Sequence, residues 1–203
     1  MRRVSIQSVL KRNDVSAATA SAPKDEARLL RRIAAGERRA FEELYRIYHP
    51  RLTRFLSNLL RKPEMVEEVL NDTMMVVWRR PDSYSGASKL STWVFAIAYR
   101  KALRARSRFD EPIEDKGAET RVSDEASPEQ QLGRRQVQEA LLSAMSQLSA
   151  DHRTVVDLTY FHEFGYKEIA EIMACPVDTV KTRMFHARRN LKTALPGGLT
   201  DWL

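Results

Sequence analysis

The chain has 203 residues, a net charge of +7 and a pI near 9.7. Few Gly and Pro residues, with abundant Ala, Leu, Arg and Glu, favour helices over a turn-rich sheet. The excess of positive charge indicates a polyanionic partner, either nucleic acid or an anionic membrane surface. The single cysteine, Cys175, excludes an intramolecular disulfide and a multi-cysteine zinc site, and it is typical of a reducing compartment. We therefore expect a cytoplasmic protein.

Membrane insertion is not expected from this sequence. No stretch reaches the roughly 20 apolar residues that are needed to cross a bilayer. Near the N-terminus, Gln7, Ser8, Lys11 and Arg12 interrupt the apolar segment that a secretion signal would need. Charge alone does not separate nucleic acid from a membrane surface, but the protein is expected to stay in the compartment where it is made.

The first part of the chain divides into an extension and a helical domain. Residues 1–24 carry five basic residues against one acidic residue, which predicts a flexible basic N-terminal extension. Residues 25–108 form the first predicted domain, because their apolar residues recur with helical spacing in four stretches. The first stretch ends before Gly36, and the second passes Pro50, which should kink it or start a new turn. The third opens at Pro63 and closes at Pro81, and the fourth runs from about Ser91 to residue 108.

A charged segment separates this domain from a second one. Residues 109–127 contain seven acidic and two basic residues, so residues 109–128 are predicted to be an acidic flexible linker. Helical spacing resumes near Glu129, and residues 129–195 form the second predicted domain, followed by a C-terminal tail at 196–203. The fold class is therefore all-α, with two small helical domains joined by a linker.

Three helical patterns follow one another closely between residues 151 and 192. The first is placed to end at Gly165, and the second is short, from Tyr166 to Met173. After a tight break, the third starts at Pro176, which suits a first helical turn because it lacks an N–H group. This succession predicts a helix-turn-helix, with the third helix as the recognition helix.

The recognition helix has two different faces. Four apolar residues at helical spacing should face inward: Val177, Val180, Met184 and Leu191. The outer face then carries Asp178, Lys181, Thr182, Phe185, Arg188 and Arg189. Residues 181–192 include five basic residues and no acidic one, which indicates contact with phosphates and base edges in a major groove. The alternative interpretation is an ordinary solvated cationic face.

Two separated parts of the sequence resemble one known family. Segments 147–153, 166–172 (YKEIAEI) and 176–183 (PVDTVKTR) resemble region 4 of the extracytoplasmic-function sigma factors. Segment 67–73 (EEVLNDT), ending in Trp78-Arg79, is similar to region 2.2 of that family. Segments 84–86 and 91–98 (STWVFAIA) are similar to regions 2.3 and 2.4. The resemblance covers residues 25–108 and 129–195 in the family's order and spacing, without the third domain of larger sigma factors.

The resemblance implies a transcription initiation factor that is not an enzyme and needs no cofactor. Such a protein binds core RNA polymerase, recognises the duplex minus-35 element and the single-stranded minus-10 element of promoter DNA, and promotes melting. An anti-sigma factor is an expected further partner, and stress response an expected setting. The acidic linker is implied to thread towards the polymerase active site and RNA exit path, although it could also be a plain tether.

The resemblance assigns three groups of site residues. Docking on core polymerase is assigned to four residues of the third helix: Glu67, Glu68, Asn71 and Asp72. The alternative interpretation of these residues is a solvated acidic surface. Minus-10 binding falls on Tyr84, Ser88, Leu90, Trp93, Tyr99, Arg100, Lys101 and Arg104. Minus-35 binding falls on Asp178, Lys181, Thr182, Arg183, Phe185, His186, Arg188 and Arg189.

The composition of the minus-10 group has its own physical rationale. Arginines spaced every four residues make one edge of the fourth helix cationic, and nearby aromatic rings can stack on unpaired bases. Trp93 is equally compatible with a core position and with an exposed wedge. The sequence departs from the family where Leu90 replaces a common Phe and Arg100 a common Asn, which puts the base preference in doubt.

No catalytic or metal-binding motif is found in the sequence. The histidines, His49, His152, His162 and His186, lack the spacing of a helical metal site, and no glycine-rich phosphate loop is present. The alternative function is a conventional helix-turn-helix regulator that binds duplex DNA without polymerase.

Overall fold

The computed structural model describes residues 23–60, 62–108 and 143–194, and in these ranges all regular structure is helical. The helices are α1 (Pro23–Ala34), α2 (Arg38–Leu59), α3 (Pro63–Arg79), a short 3-10 helix (Pro81–Ser83), α4 (Leu90–Arg108), α5 (Ala150–Tyr160), α6 (Tyr166–Met173) and α7 (Val177–Ala194). The all-α prediction is confirmed. The predictions for the extension up to residue 22, for the linker, for residues 129–142 and for the C-terminal tail lie outside the described residues.

Helices α1 to α4 pack around the core of the first domain. Tyr48, Leu52 and Phe55 of α2 and Leu70 of α3 are fully buried, because apolar residues three and four apart fall on one helix face. Helix α2 continues as a single helix through Pro50, so no new helix begins there. Pro50 lies on the exposed side of α2, where water can satisfy the carbonyl group that loses its partner.

Helices α5, α6 and α7 form the predicted helix-turn-helix domain. Gly165 does not end the first of these helices, which stops at Tyr160; it is instead the N-cap of α6. Pro176 lies one residue before α7, and its carbonyl oxygen accepts the N–H of Val180 at 3.3 Å. Between α6 and α7, Ala174 adopts a left-handed conformation with φ of 50°, which reverses the chain within a tight turn.

Arg153 joins α5 to the segment before it. Its guanidinium donates hydrogen bonds to the carbonyl oxygens of Met145, Ser146 and Leu148 at 3.0 to 3.1 Å. Met145 and Ser146 end a helical segment, and the chain then turns to bring the fully buried Leu148 into the core of the second domain. A planar guanidinium is suited to several acceptors at once.

We expect Arg153→Met to lower the free energy of unfolding by about 2–3 kcal/mol, since hydrogen bonds to a charged donor are lost and their acceptors are left unpaired. Urea denaturation followed by circular dichroism measures the loss. Arg189→Met is the control, because Arg189 is exposed on α7 and its guanidinium makes no such carbonyl contacts within the described residues. Equal losses in both variants would contradict the anchoring role.

The two domains share an interface in which α6 packs on α4 and α5 packs on α2. Asn58 of α2 donates a hydrogen bond to Asp157 Oδ1 of α5 at 2.8 Å. The ring of Phe95 lies 5.0 Å from that of Phe164, between centroids, and the Arg54 guanidinium lies 4.0 Å over the Phe161 ring. The described parts of the domains are therefore packed together, an arrangement that the sequence left open.

Candidate functional site

The predicted polymerase-docking residues all lie on the exposed face of α3. Asn71 accepts a hydrogen bond from the Tyr45 hydroxyl at 3.0 Å, and Asp72 forms an ion pair with Lys101 of α4 at 2.9 Å. Glu68 forms no ion pair with any residue that the structure describes. This acidic face thus combines side chains held by neighbours with a carboxylate that is free to meet a cationic partner.

The loop before α4 is held closed by Tyr84. The hydroxyl of Tyr84 donates to the carbonyl oxygen of Ser88 at 2.6 Å, and its ring leans on Trp93 at a centroid distance of 5.5 Å. Gly86 adopts a φ of +76°, a conformation that side chains disfavour. Burial, together with the charge of Glu26, raises the pKa of Tyr84, so its hydroxyl stays a donor at neutral pH.

The remaining minus-10 residues are divided between exposed and covered positions. Arg100 and Arg104 project into solvent, whereas Lys101 turns towards α3. Leu90 and Tyr99 are only 3% and 5% exposed. Trp93 is half-buried against the core, which is compatible with a core position and with an exposed wedge.

Tyr99 is covered by the helix-turn-helix domain. Burial raises the pKa of Tyr99, and Asp151 of α5 and Cys175 add to this, while Arg183 of α7 acts in the opposite direction. These three residues belong to the second domain, so Tyr99 lies close to that domain in this structure.

A carboxylate of α6 contacts the same surface. Glu168 Oε1 lies 3.0 Å from Lys89 Nζ and accepts a hydrogen bond from the Thr92 hydroxyl at 3.3 Å. Its other oxygen accepts the N–H of Gly165 at 2.8 Å, which caps the start of α6. Sequence reasoning assigned no role to Lys89, Thr92 or Glu168.

The environment of Glu168 favours its ionised form. Partial burial opposes ionisation, but the Gly165 N–H, the Lys89 ammonium and the Thr92 hydroxyl together hold the pKa of this carboxyl below its ordinary value of 4.5. The ionised carboxylate contributes its full stabilisation at any pH above the ordinary pKa of a glutamate. That stabilisation is lost as the pH falls through the lowered pKa of Glu168. The contact is therefore fully charged at neutral pH.

The recognition helix α7 presents the outer face that the sequence predicts. Val180, Met184 and Leu191 are buried, whereas Phe185 is 64% exposed. The other exposed predicted residues are Asp178, Lys181, Thr182, His186, Arg188 and Arg189. The cationic side of α7 thus remains open to solvent.

Two arginines of α7 are held in defined positions. Arg188 donates two hydrogen bonds to the Tyr160 hydroxyl, at 3.0 and 3.2 Å, which fixes its guanidinium beside α5. Arg183 instead forms an ion pair with Asp151 and contacts the Cys175 sulfur at 3.7 Å. Arg183 is therefore part of the domain's own packing in this structure, unlike the open residues around Phe185.

Comparisons with known proteins give a match for each of the two domains. Residues 44–110 match the family model for sigma-70 region 2, and residues 138–191 match the model for sigma-70 region 4. The RNA polymerase sigma-H factor of Pseudomonas aeruginosa is 28% identical over 182 residues, which cover 85% of this chain and 94% of that protein. The ECF RNA polymerase sigma factor SigM of Bacillus subtilis is 28% identical over 170 residues, covering 79% and 98%.

A solved structure shows the same fold. The sigma factor RpoE from Bartonella quintana, in complex with the anti-sigma factor NepR, matches with a TM-score of 0.59 and 27% identity, covering 77% of this chain and 97% of that one. The chain belongs to the extracytoplasmic-function sigma factors. It is therefore a transcription initiation factor rather than an enzyme.

Two features are absent from the described residues of this sigma factor. No group of three or more His, Cys, Asp or Glu residues there could hold a metal ion. None of the helices within those ranges is long and apolar enough to span a membrane.

The covered face of α4 is the functional feature that sequence reasoning missed. A signal was available, because residues 90–99 (LSTWVFAIAY) place apolar or small side chains around the whole circumference of the helix. A helix of that kind is buried on more than one side. The first domain alone covers one side, so a second covering element was implied.

Proposed function

We propose that this sigma factor docks on core RNA polymerase through α3, reads the duplex minus-35 element with α7, and captures the non-template strand of the minus-10 element with α4 and its preceding loop. The observation that carries the proposal is the combination in one chain of an open recognition helix with an acidic docking face and a cationic, aromatic helix edge. We further propose that it acts in the cytoplasm, where core polymerase is found.

On the minus-35 side, the open face of α7 has the chemistry for a major groove. Lys181, Arg188 and Arg189 can meet phosphates or base edges, and the exposed Phe185 can meet a thymine methyl group. The hydrogen bonds from Arg188 to Tyr160 hold this guanidinium in place before DNA binds. Less conformational entropy is therefore lost on binding.

On the minus-10 side, the loop before α4 is held in shape by a hydrogen bond within the loop. A preformed loop of this kind suits the capture of an unstacked base. The Tyr84 hydroxyl and the Ser88 carbonyl hold the loop closed before DNA arrives. Arg100 and Arg104 supply positive charge along the path of the strand. Tyr99 joins this surface only when the second domain moves away from α4.

Docking on polymerase depends on charge. Glu67 and Glu68 present carboxylates to a basic surface of the largest catalytic subunit, and such complementarity sets the encounter rate and the register. An anti-sigma factor is a proposed further partner, since the Bartonella quintana sigma factor was solved with one.

A selection experiment tests the proposal against the regulator alternative. Core polymerase with this chain, and this chain alone, are each incubated with a random duplex DNA library, and bound fragments are sequenced. We expect the mixture to enrich two short motifs separated by a fixed spacer, and permanganate to react with thymines of the downstream motif. Strong enrichment of a single motif by the chain alone, with none added by polymerase, would instead identify a conventional regulator.

A further inference from the structure

The second domain, mainly through α6, packs on one side of α4. A stripe of α4 comprises residues at helical spacing whose side chains are all buried: Ser91, Thr92, Phe95, Ala96 and Tyr99. The opposite side of α4, with Val94 and Ala98, packs into the first domain. Thr92, Phe95 and Tyr99 of this stripe lie next to residues of the second domain.

Next to this stripe, the carboxylate of Glu168 on α6 contacts two donors of the first domain. The Lys89 ammonium and the Thr92 hydroxyl converge on the same carboxylate oxygen, Oε1, at 3.0 and 3.3 Å. The Glu168 side chain is 19% exposed, whereas that of Lys89 is 61% exposed. An ammonium and a hydroxyl that converge on one anionic oxygen are also the donor set that proteins offer to a nucleic-acid phosphate.

The position of these donors suits a phosphate of the captured strand. Lys89 is the last residue of the loop that holds the unstacked base in the proposed function, and Thr92 lies in the first turn of α4. A phosphate adjoining that base would lie close to both. We propose that Lys89 and Thr92 form a phosphate-binding site for single-stranded DNA, and that Glu168 occupies this site as an internal substitute in the free chain.

This inference rests on the proposed function and adds a competition to it. A phosphate and Glu168 cannot both occupy Lys89 and Thr92, since the carboxylate already accepts from both donors. The outer face of α7 stays exposed in the same arrangement. In the free chain Lys89 and Thr92 are therefore engaged by Glu168, while the minus-35 surface is open.

Glu168→Gln tests the competition with little disturbance of the fold. The amide oxygen of Gln can still accept the Gly165 N–H, whereas its NH₂ group no longer attracts Lys89. Binding of a fluorescein-labelled random 12-nucleotide single-stranded DNA pool to the full chain is followed by fluorescence anisotropy, without polymerase. We expect Glu168→Gln to bind about tenfold more tightly than the wild type, which corresponds to the loss of a charge-assisted hydrogen bond in the closed state.

Two further variants separate the phosphate site from a general charge effect. Glu171→Gln removes the same charge from an exposed position of α6, and we expect no gain. Adding Lys89→Ala to Glu168→Gln removes the donor as well as the substitute, and we expect the gain to disappear. Equal gains in Glu168→Gln and Glu171→Gln, or a gain that survives Lys89→Ala, would overturn the phosphate site, as would no gain in Glu168→Gln.

Failure of the inference is distinguishable from failure of the proposed function. Transcription by the wild-type chain with core polymerase measures the function, and single-strand binding by Glu168→Gln in the absence of polymerase measures the competition. Active transcription without the binding gain rejects the phosphate site alone. The binding gain without transcription rejects the sigma mechanism and leaves a single-strand binding site on α4.

Discussion

Glu67→Lys/Glu68→Lys is expected to weaken binding to core RNA polymerase by about 10- to 100-fold, because like charges placed opposite one another cost several kcal/mol. Both carboxylates are exposed on α3, so the reversal should leave the core of the first domain intact. Binding is measured by titrating labelled chain with core polymerase, and run-off transcription should fall in parallel.

Glu67 and Glu68 are chosen because Glu68 forms no ion pair with a described residue and Glu67 only approaches His49 Nε2, at 4.0 Å. Reversal at Asp72 would also break its ion pair with Lys101 of α4 and so confuse docking with a change in the minus-10 edge. Glu171→Lys is the control, since Glu171 is an exposed acidic residue of α6, away from α3. Unchanged polymerase binding by the double variant would remove the docking role from this face.

Phe95→Ala is expected to lower the free energy of unfolding by about 3–5 kcal/mol, the usual cost of truncating a large buried aromatic residue. Phe95 is fully buried, and its ring meets Phe55 of its own domain as well as His162 and Phe164 of the other. The variant should therefore loosen the interface along with the core. Urea denaturation measures the stability, and amide hydrogen exchange of α6 reports on the interface.

Phe185→Ala is the matched control for Phe95→Ala. Phe185 is 64% exposed on the outer face of α7, and the same truncation should change stability by no more than about 0.5 kcal/mol. We expect it to weaken minus-35 binding instead. A comparable loss of stability in both variants would contradict the burial difference on which the interface depends.

Much of the fold could be predicted because its signals are local. Pro63 opens α3, and the short second helix of the helix-turn-helix spans Tyr166–Met173 as the apolar spacing indicates. On α7, Met184 is buried and Phe185 exposed, since a helix turns by about 100° per residue. Gly165 was misjudged because glycine is favourable both just after a helix and at the N-cap of the next one.

The interface between the domains could not be predicted in the same way. Thr92 and Glu168 are 76 positions apart, and helical periodicity shows that a face is apolar without showing what covers it. Tyr99 was interpreted as a DNA contact, and nothing in its local sequence indicates that the second domain buries it. Likewise, the sequence does not indicate the buried contact between His162 Nε2 and Asp157 Oδ2, which lie 3.4 Å apart.

Reconstituted initiation is the most direct test of the central claim that this chain directs core polymerase to promoters. Core polymerase is mixed with the wild-type chain or with Glu67→Lys/Glu68→Lys, and run-off transcripts are collected from the fragments enriched in the library selection. The account predicts defined transcripts with the wild-type chain, few with the double variant, and none from core polymerase alone. Transcripts that are equally abundant with and without the wild-type chain would contradict it.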